Sequence, residues 1–311
     1  MTCRQKHFSP KTAQSYVLWI RQFILYHNKR HPVDMGQEEI EAYLNHLANK
    51  RNVSASTQSA ALNAIAFLYR EVLKTPMPDL DKLRRIKRHK IIPVVMSHQE
   101  IEATFARMHG TMRLMAELIY GTGLRVNECM MLRVKDVDFD LRTITVRAGK
   151  GYKDRATVMP QVLIPDLRMH LTKVAQLHKT DVLKGNGYAP MPNALYVKYP
   201  SASQSLAWQY FFPSSLQRPW QDTGQLARWH ASPSTLRRAF KQAVRQANIH
   251  KHVGPHTLRH SFASHLLAAG TDIRTIQTLL GHKNVQTTMI YTHVTPDYRH
   301  VDSPLDRLKQ K

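Results

Sequence analysis

The sequence predicts a mainly α-helical chain of two domains with one small antiparallel sheet. Apolar residues recur at helical spacing through most of the 311 residues, and β-like runs are confined to Thr143 to Val146 and Ala156 to Met159. A basic stretch, Lys82 to Lys90, separates three N-terminal helical segments from the rest. The length itself exceeds what one core usually fills, since single cores stop growing at about 250–300 residues.

The first domain is expected over residues 1–90. Ser9-Pro10 is a helix start, a capping Ser before Pro at the first helical position. Ala13, Tyr16, Val17, Ile20, Phe23 and Ile24 follow at helical spacing and predict one buried face. Ile40, Tyr43, Leu44 and Leu47 mark a second helix. A third runs from about Ser56 through Leu62, Ile65, Leu68, Tyr69 and Val72, and Thr75-Pro76-Met77-Pro78 ends it. The connector that follows carries Arg84, Arg85, Lys87 and Arg88. It reads either as a solvated linker or as a segment crossing a phosphate backbone.

The second domain is expected over residues 91–311. Ser97-His98-Gln99-Glu100 is a capping box, and an apolar helix from Met112 to Tyr120 leads into Gly121-Thr122-Gly123, just before Arg125. The two β-like runs flank a hairpin, Gly149-Lys150-Gly151-Tyr152-Lys153-Asp154-Arg155, whose turn is basic. Helical periodicity returns at Leu167 to Leu183 and Thr235 to Ala247. Between them, at about 185–232, lies an insertion rich in Pro, Ser, Tyr and Trp with no clear period. Its aromatics Trp208, Tyr210, Phe211, Phe212, Trp220 and Trp229 read either as a satellite core or as a surface that stacks on bases. Thr271-Asp272 caps a later helix carrying Ile273, Ile276 and Leu280, Gly281 ends it, and one from about Val285 carries Tyr291.

Lys and Arg number 45 against 22 Asp and Glu, a net charge of +23 spread along the chain. A polyanion partner, nucleic acid above all, is the direct reading, although charge alone also fits a basic enzyme of another kind or a ribosome-associated protein. Cys3 and Cys129 form neither a disulfide framework nor a metal-ligand spacing, which fits a reducing compartment. The first eight residues lack an apolar signal core, and no apolar run approaches the roughly 18 residues that cross a bilayer. A soluble cytoplasmic protein with no membrane partner is expected.

The chemistry lies in Gly123-Leu124-Arg125-Val126-Asn127-Glu128, His256-Thr257-Leu258-Arg259-His260, Leu279-Leu280-Gly281-His282 and Tyr291-Thr292-His293. Two permanently charged guanidinium forks converging on one phosphodiester would stabilise the extra negative charge of its transition state. Tyr291 would be the nucleophile. His256 and Arg259 share one face of a helical turn, with Leu258, Phe262, Leu266 and Leu267 pointing elsewhere. A rival reading, a zinc site on His256 and His260, lacks a carboxylate or thiolate to complete it, so neither metal nor cofactor is expected.

Gly-Leu-Arg-x-x-Glu, the hairpin lysine, His-x-x-Arg, Leu-Gly-His and a downstream Tyr together resemble, in order, the signature of the tyrosine recombinases. The resemblance implies that Arg125 and Arg259 clamp the scissile phosphate, that Lys150 protonates the departing 5′-oxygen, and that Tyr291 forms a 3′-phosphotyrosyl link without ATP. His256 and His282 would assist proton transfer and hold the phosphate, and Glu128 would orient the site from behind. The implied fold is a helical core-binding domain and a catalytic domain joined as a C-shaped DNA clamp.

The likeness is greatest to the integron integrases and covers nearly the whole chain, through Ser54-Ala55-Ser56-Thr57-Gln58, Phe67-Leu68-Tyr69-Arg70, Leu132-Arg133-Val134-Lys135-Asp136 and Asp272-Ile273-Arg274-Thr275-Ile276-Gln277. Within the insertion Lys198-Tyr199-Pro200, Trp208-Gln209-Tyr210 and Phe212-Pro213-Ser214 resemble the extra segment of that group. Two departures stand out: Arg228-Trp229-His230 replaces the usual Arg-His-His, and Met130-Met131 is more apolar than the family pattern. The resemblance implies a bacterial enzyme, four subunits on two DNA sites, and two substrates, a double-stranded attachment site and a cassette site folded from a single strand. Trp208, Tyr210, Trp229, His230, Arg228, Lys198, Lys153 and Arg155, with the basic connector, are the expected DNA contacts, Trp208 and His230 gripping extrahelical bases. A Xer-like or phage-type recombinase on duplex sites, and a catalytically inert DNA-binding relative, are the alternatives.

Overall fold

The computed structural model describes residues 8–76, 93–147 and 154–293. The chain divides into two compact units, residues 1–91 and 92–311.

In the first unit α1 (Pro10–Tyr26) begins where Ser9 accepts a hydrogen bond from the Thr12 N–H, supplying a partner for an otherwise orphaned donor. It is followed by α2 (Gln37–Asn49) and α3 (Ala55–Phe67), the latter capped by Ser54 and running on as a π-helical turn through Leu73. Phe23, Ile40, Tyr43, Leu44, Leu47, Ala61, Ile65 and Tyr69 form the core. The Tyr69 hydroxyl lies 2.9 Å from the carbonyl of Pro32 and 2.7 Å from that of Met35, pinning the α1–α2 connection. The expected buried face of α1 is narrower than its pattern: Phe23 is fully buried but Val17 is 62% exposed, because the apolar positions span more of the helix than this unit covers.

The second unit opens at the expected capping box, Ser97 accepting from the Glu100 N–H and Glu100 from the Ser97 N–H, at the start of α4 (His98–Phe105). Helix α5 (Gly110–Thr122) ends at Gly123, whose φ of +67° suits glycine and where a Cβ would stand 2.5 Å from the Phe262 ring. That tight turn delivers Arg125 to the start of α6 (Val126–Met131). Met130 is buried in the core and Met131 lies on the surface of the large cavity described below, which places the apolar pair.

A three-stranded antiparallel sheet follows in the order β1 (Val137–Asp138), β2 (Thr143–Val146), β3 (Arg155–Val158), with Val146 paired to Arg155. Strand β2 matches its apolar run, and β3 begins one residue earlier than the expected Ala156 to Met159. The hairpin turn, with Lys150 and Lys153, lies outside the described residues, as does the connector with Arg84, Arg85, Lys87 and Arg88.

Helix α7 (Ile164–Leu183) leads into the insertion, which is not irregular as its composition implied. It contains α8 (Asn193–Lys198) and a second sheet, β4 (Pro213–Pro219) antiparallel to β5 (Leu226–His230). Prolines at both ends of β4 and the absence of alternation hid that strand. Helices α9 (Pro233–Gln246), α10 (Pro255–Ala268), α11 (Ile273–Leu280) and α12 (Gln286–Met289) complete the unit, and Tyr291 sits on the closing 3₁₀ turn, Ile290–His293. No described helix is long and apolar enough to cross a membrane.

Candidate active site

Glu128 organises the site. In the first turn of α6 its carboxylate accepts from the Arg125 backbone N–H at 2.8 Å and from Arg125 Nη1 at 2.6 Å, and it receives Arg155 Nη1 and Nη2 at 3.0 and 2.6 Å. Arg259 Nη1 lies 3.8 Å from the same group. Burial alone would raise the Glu128 pKa, but the Arg155 pair and the Arg125 bonds outweigh it and hold the carboxyl down at about 2. Three guanidiniums against one carboxylate leave an excess of positive charge, suited to a phosphate.

Arg259 is 1% exposed. It donates to the carbonyl oxygens of Gly123 and Leu280 and to His282 Nε2, the last at 3.1 Å. Since Nε2 accepts, the proton of the neutral ring is on Nδ1, which lies 2.9 Å from Thr288 Oγ1. Burial, then Arg259 and Arg125, push His282 down to about 4. Desolvation lowers Arg259 to about 10, with Arg125 adding to it.

The Tyr291 side chain is 2% exposed, and its hydroxyl lies 2.9 Å from His260 Nδ1. Burial raises its pKa, while Arg259 and Arg125 pull the other way. His256 is exposed in the first turn of α10, and partial desolvation by its surroundings, then Arg259 and Arg125, lower its pKa. The structure thus brings Arg125, Glu128, His256, Arg259, His282 and Tyr291 together.

Two residues that sequence reasoning assigned elsewhere, or passed over, belong to this cluster. Arg155, expected to reach DNA, is turned inward: its side chain is 10% exposed, spent on Glu128 and on the Leu279 carbonyl. His260 was visible only as a zinc alternative, although its spacing from His256 already put both on one helix face. Among the described residues no group of three or more His, Cys, Asp or Glu side chains is placed to hold a metal.

The insertion requires two further corrections. Arg228 is buried, both oxygens of Asp181 accepting from it at 2.6 and 2.8 Å with the Ser214 and Ser215 carbonyls completing its bonds, so it holds the insertion together instead of facing DNA. Tyr210 is also buried, with the Arg133 guanidinium 4.5 Å from its ring. Trp220 is a core residue beside Met191 and Ala227. Trp208, Trp229 and His230 are half-buried, Lys198 is exposed, and Lys135 Nζ stands 2.9 Å over the Trp208 ring.

A cavity of about 1310 Å³ is lined by Arg125, Glu128, Arg133, Trp208, Lys241 and His256, so it runs from the arginine cluster to the insertion. A second, of about 520 Å³, is lined by Arg218, Trp220, Trp229 and His230.

The Phage integrase family model matches residues 94–297, and the model for the phage integrase N-terminal SAM-like domain matches residues 1–79. The chain belongs to the phage integrase family. It is a tyrosine site-specific recombinase. An Integrase/recombinase of Escherichia coli is 46% identical over 98% of the chain and 91% of its own length. Tyrosine recombinase XerC of Lacticaseibacillus casei is 29% identical over 94% and 90%. The fold of the recombinase is similar to that of XerH bound to palindromic difH substrate (TM-score 0.64, 19% identity, covering 92% of this chain and 77% of that one). A lambda integrase dimer bound to a COC′ core site gives a TM-score of 0.59 at 17% identity, covering 95% and 92%.

Proposed function

We propose that this recombinase integrates and excises gene cassettes at integron attachment sites, acting on a double-stranded site and on a cassette site folded from one strand. The observation that carries the subgroup reading is the inserted β4–β5 unit, which presents Trp229 and His230 on one cavity while Trp208 lines another that reaches the arginine cluster. Extrahelical bases of a folded strand are shape features that aromatic faces hold by stacking. The charge of +23 supplies the general attraction to phosphate, and the basic connector and Lys198 extend it.

In the reaction, Arg125 and Arg259 bind the non-bridging oxygens of the scissile phosphate, with Glu128 and Arg155 fixing Arg125 from behind. The Tyr291 oxygen attacks phosphorus, the bond to the 5′-oxygen breaks, and Lys150 protonates that oxygen. The 3′-phosphotyrosyl bond keeps the energy needed for rejoining when a new 5′-hydroxyl attacks. His282, with Nδ1–H on Thr288, and His256 stand at the phosphate. Four subunits assemble on two DNA sites.

The test separates the two strands of a candidate cassette site, folds each alone, and measures binding and recombination beside the duplex. Strong preference for one folded strand is the expected result. Equal treatment of both strands, with recombination of duplex only, would leave a recombinase of duplex sites.

A further inference from the structure

We propose that His260 accepts the proton of Tyr291 as its oxygen attacks phosphorus, making it a catalytic residue of the cleavage step. The proposal rests on the strand-cleavage reading above.

Tyr291 and His260 come from different elements, the closing 3₁₀ turn and α10, and meet with the hydroxyl 2.9 Å from Nδ1 and ring centroids 5.7 Å apart. Proton transfer needs this reach, since a general base must stand within about 2.6–3.2 Å of the atom it deprotonates. His282 has both ring nitrogens engaged, by Arg259 and by Thr288, so its Nε2 lone pair already serves a guanidinium. His256 is exposed at the cavity wall, where a phosphate would enter.

The groups facing His260 set its protonation. His256 and Arg259 lie on the same helix, Tyr291 on the closing turn, and His282 in the loop after α11. Burial first, then His256 and Arg259, hold the ring down at about 4, so it is neutral at pH 7, and with its proton on Nε2 the Nδ1 lone pair accepts the phenol hydrogen. A phosphate on the two arginines offsets the part of this suppression that comes from Arg259, so His260 becomes more basic when the substrate is in place. In the step, the phenol O–H bond breaks as N–H forms at His260, the oxygen bonds to phosphorus, and the 5′-oxygen leaves with a proton from Lys150. Rejoining reverses the transfer, His260 returning the proton to the phenolate.

The experiment uses the full chain and a nicked duplex substrate that traps the covalent adduct under single-turnover conditions. His260→Asn keeps a polar acceptor but cannot take a proton, so it should bind DNA within a few-fold of wild type and form adduct on the order of 100-fold more slowly. His260→Ala should be similarly slow, and added imidazole should raise its rate. Adduct formation by His260→Asn within a few-fold of wild type would overturn the proposal, as would no response of His260→Ala to imidazole. ¹⁵N spectra of the wild-type histidines give a check that requires no variant to fold: His260 Nδ1 should be unprotonated at pH 7, and a protonated Nδ1 would overturn the proposal. Tyr291→Phe run in parallel separates the two failures, since adduct that survives in that variant removes the cleavage reading itself.

Discussion

Arg155 grips Glu128 through both terminal nitrogens, at 3.0 and 2.6 Å, across 27 residues of sequence. One residue begins β3, at the base of the lysine hairpin, and the other lies in the first turn of α6, so the bond ties the hairpin to the helix that presents Arg125. A buried fork of this kind is costly to break from one side, because the surviving partner keeps its charge without compensation.

Glu128→Gln should therefore destabilise the second unit by about 3–5 kcal/mol. It should also remove one component of acid sensitivity. The Glu128 carboxyl sits at about 2 in the folded chain, below its ordinary 4.5. Its contribution is complete above pH 4.5 and lost as pH falls through about 2, and it is on the order of 3 kcal/mol. Urea unfolding at neutral pH and at two acid pH values checks this, the variant losing less stability than wild type over the acid range.

Tyr291→Phe should bind DNA as wild type does and form no covalent adduct, since only the hydroxyl is removed. The lost hydrogen bond to His260 should cost about 1 kcal/mol of stability. Denaturing gels of labelled nicked substrate read the adduct, and a thermal melt reads the stability.

Lys150→Ala should slow cleavage far more than it weakens binding. A bridging 5′-phosphorothiolate substrate, whose sulfur leaves without needing a proton, should restore most of the rate. Failure of that rescue would make Lys150 a positioning residue.

Trp208→Ala and His230→Ala should each weaken folded single-stranded sites by about 1–3 kcal/mol per stacked base and disturb duplex binding less. Titrations at one fixed salt concentration measure both, because phosphate binding by so basic a chain varies steeply with salt. Trp220→Ala is the contrasting case. Trp220 lies in the insertion core, so its loss should lower stability by about 3–5 kcal/mol and affect both substrates together.

Local signals carried the helices into the sequence. Ser9, Ser54, Ser97 and Asp272 each cap the helix that follows, and Gly123 and Gly281 end theirs in the left-handed conformation. What stayed hidden depends on distant partners. Nothing near Arg228 announces Asp181, and nothing near Tyr291 announces His260, 31 residues away. Arg155 looked like one more cation of a basic hairpin because its neighbour in space, Glu128, is remote in sequence. The β4–β5 sheet was illegible for a different reason: its strands expose most of β4, so no alternation marks them.

The two carbonyls gripped by Arg259 close the C-terminal ends of α5 and α11, where peptide dipoles leave partial negative charge. One guanidinium therefore caps two helices as well as belonging to the proposed phosphate clamp. Shortening it to alanine would open both helix ends and empty the clamp at once, so a rate lost at this position mixes folding with chemistry. Tyr291, the proposed nucleophile, carries a hydroxyl that can be removed without touching a helix end, so its loss should silence the chemistry while the scaffold stays assembled.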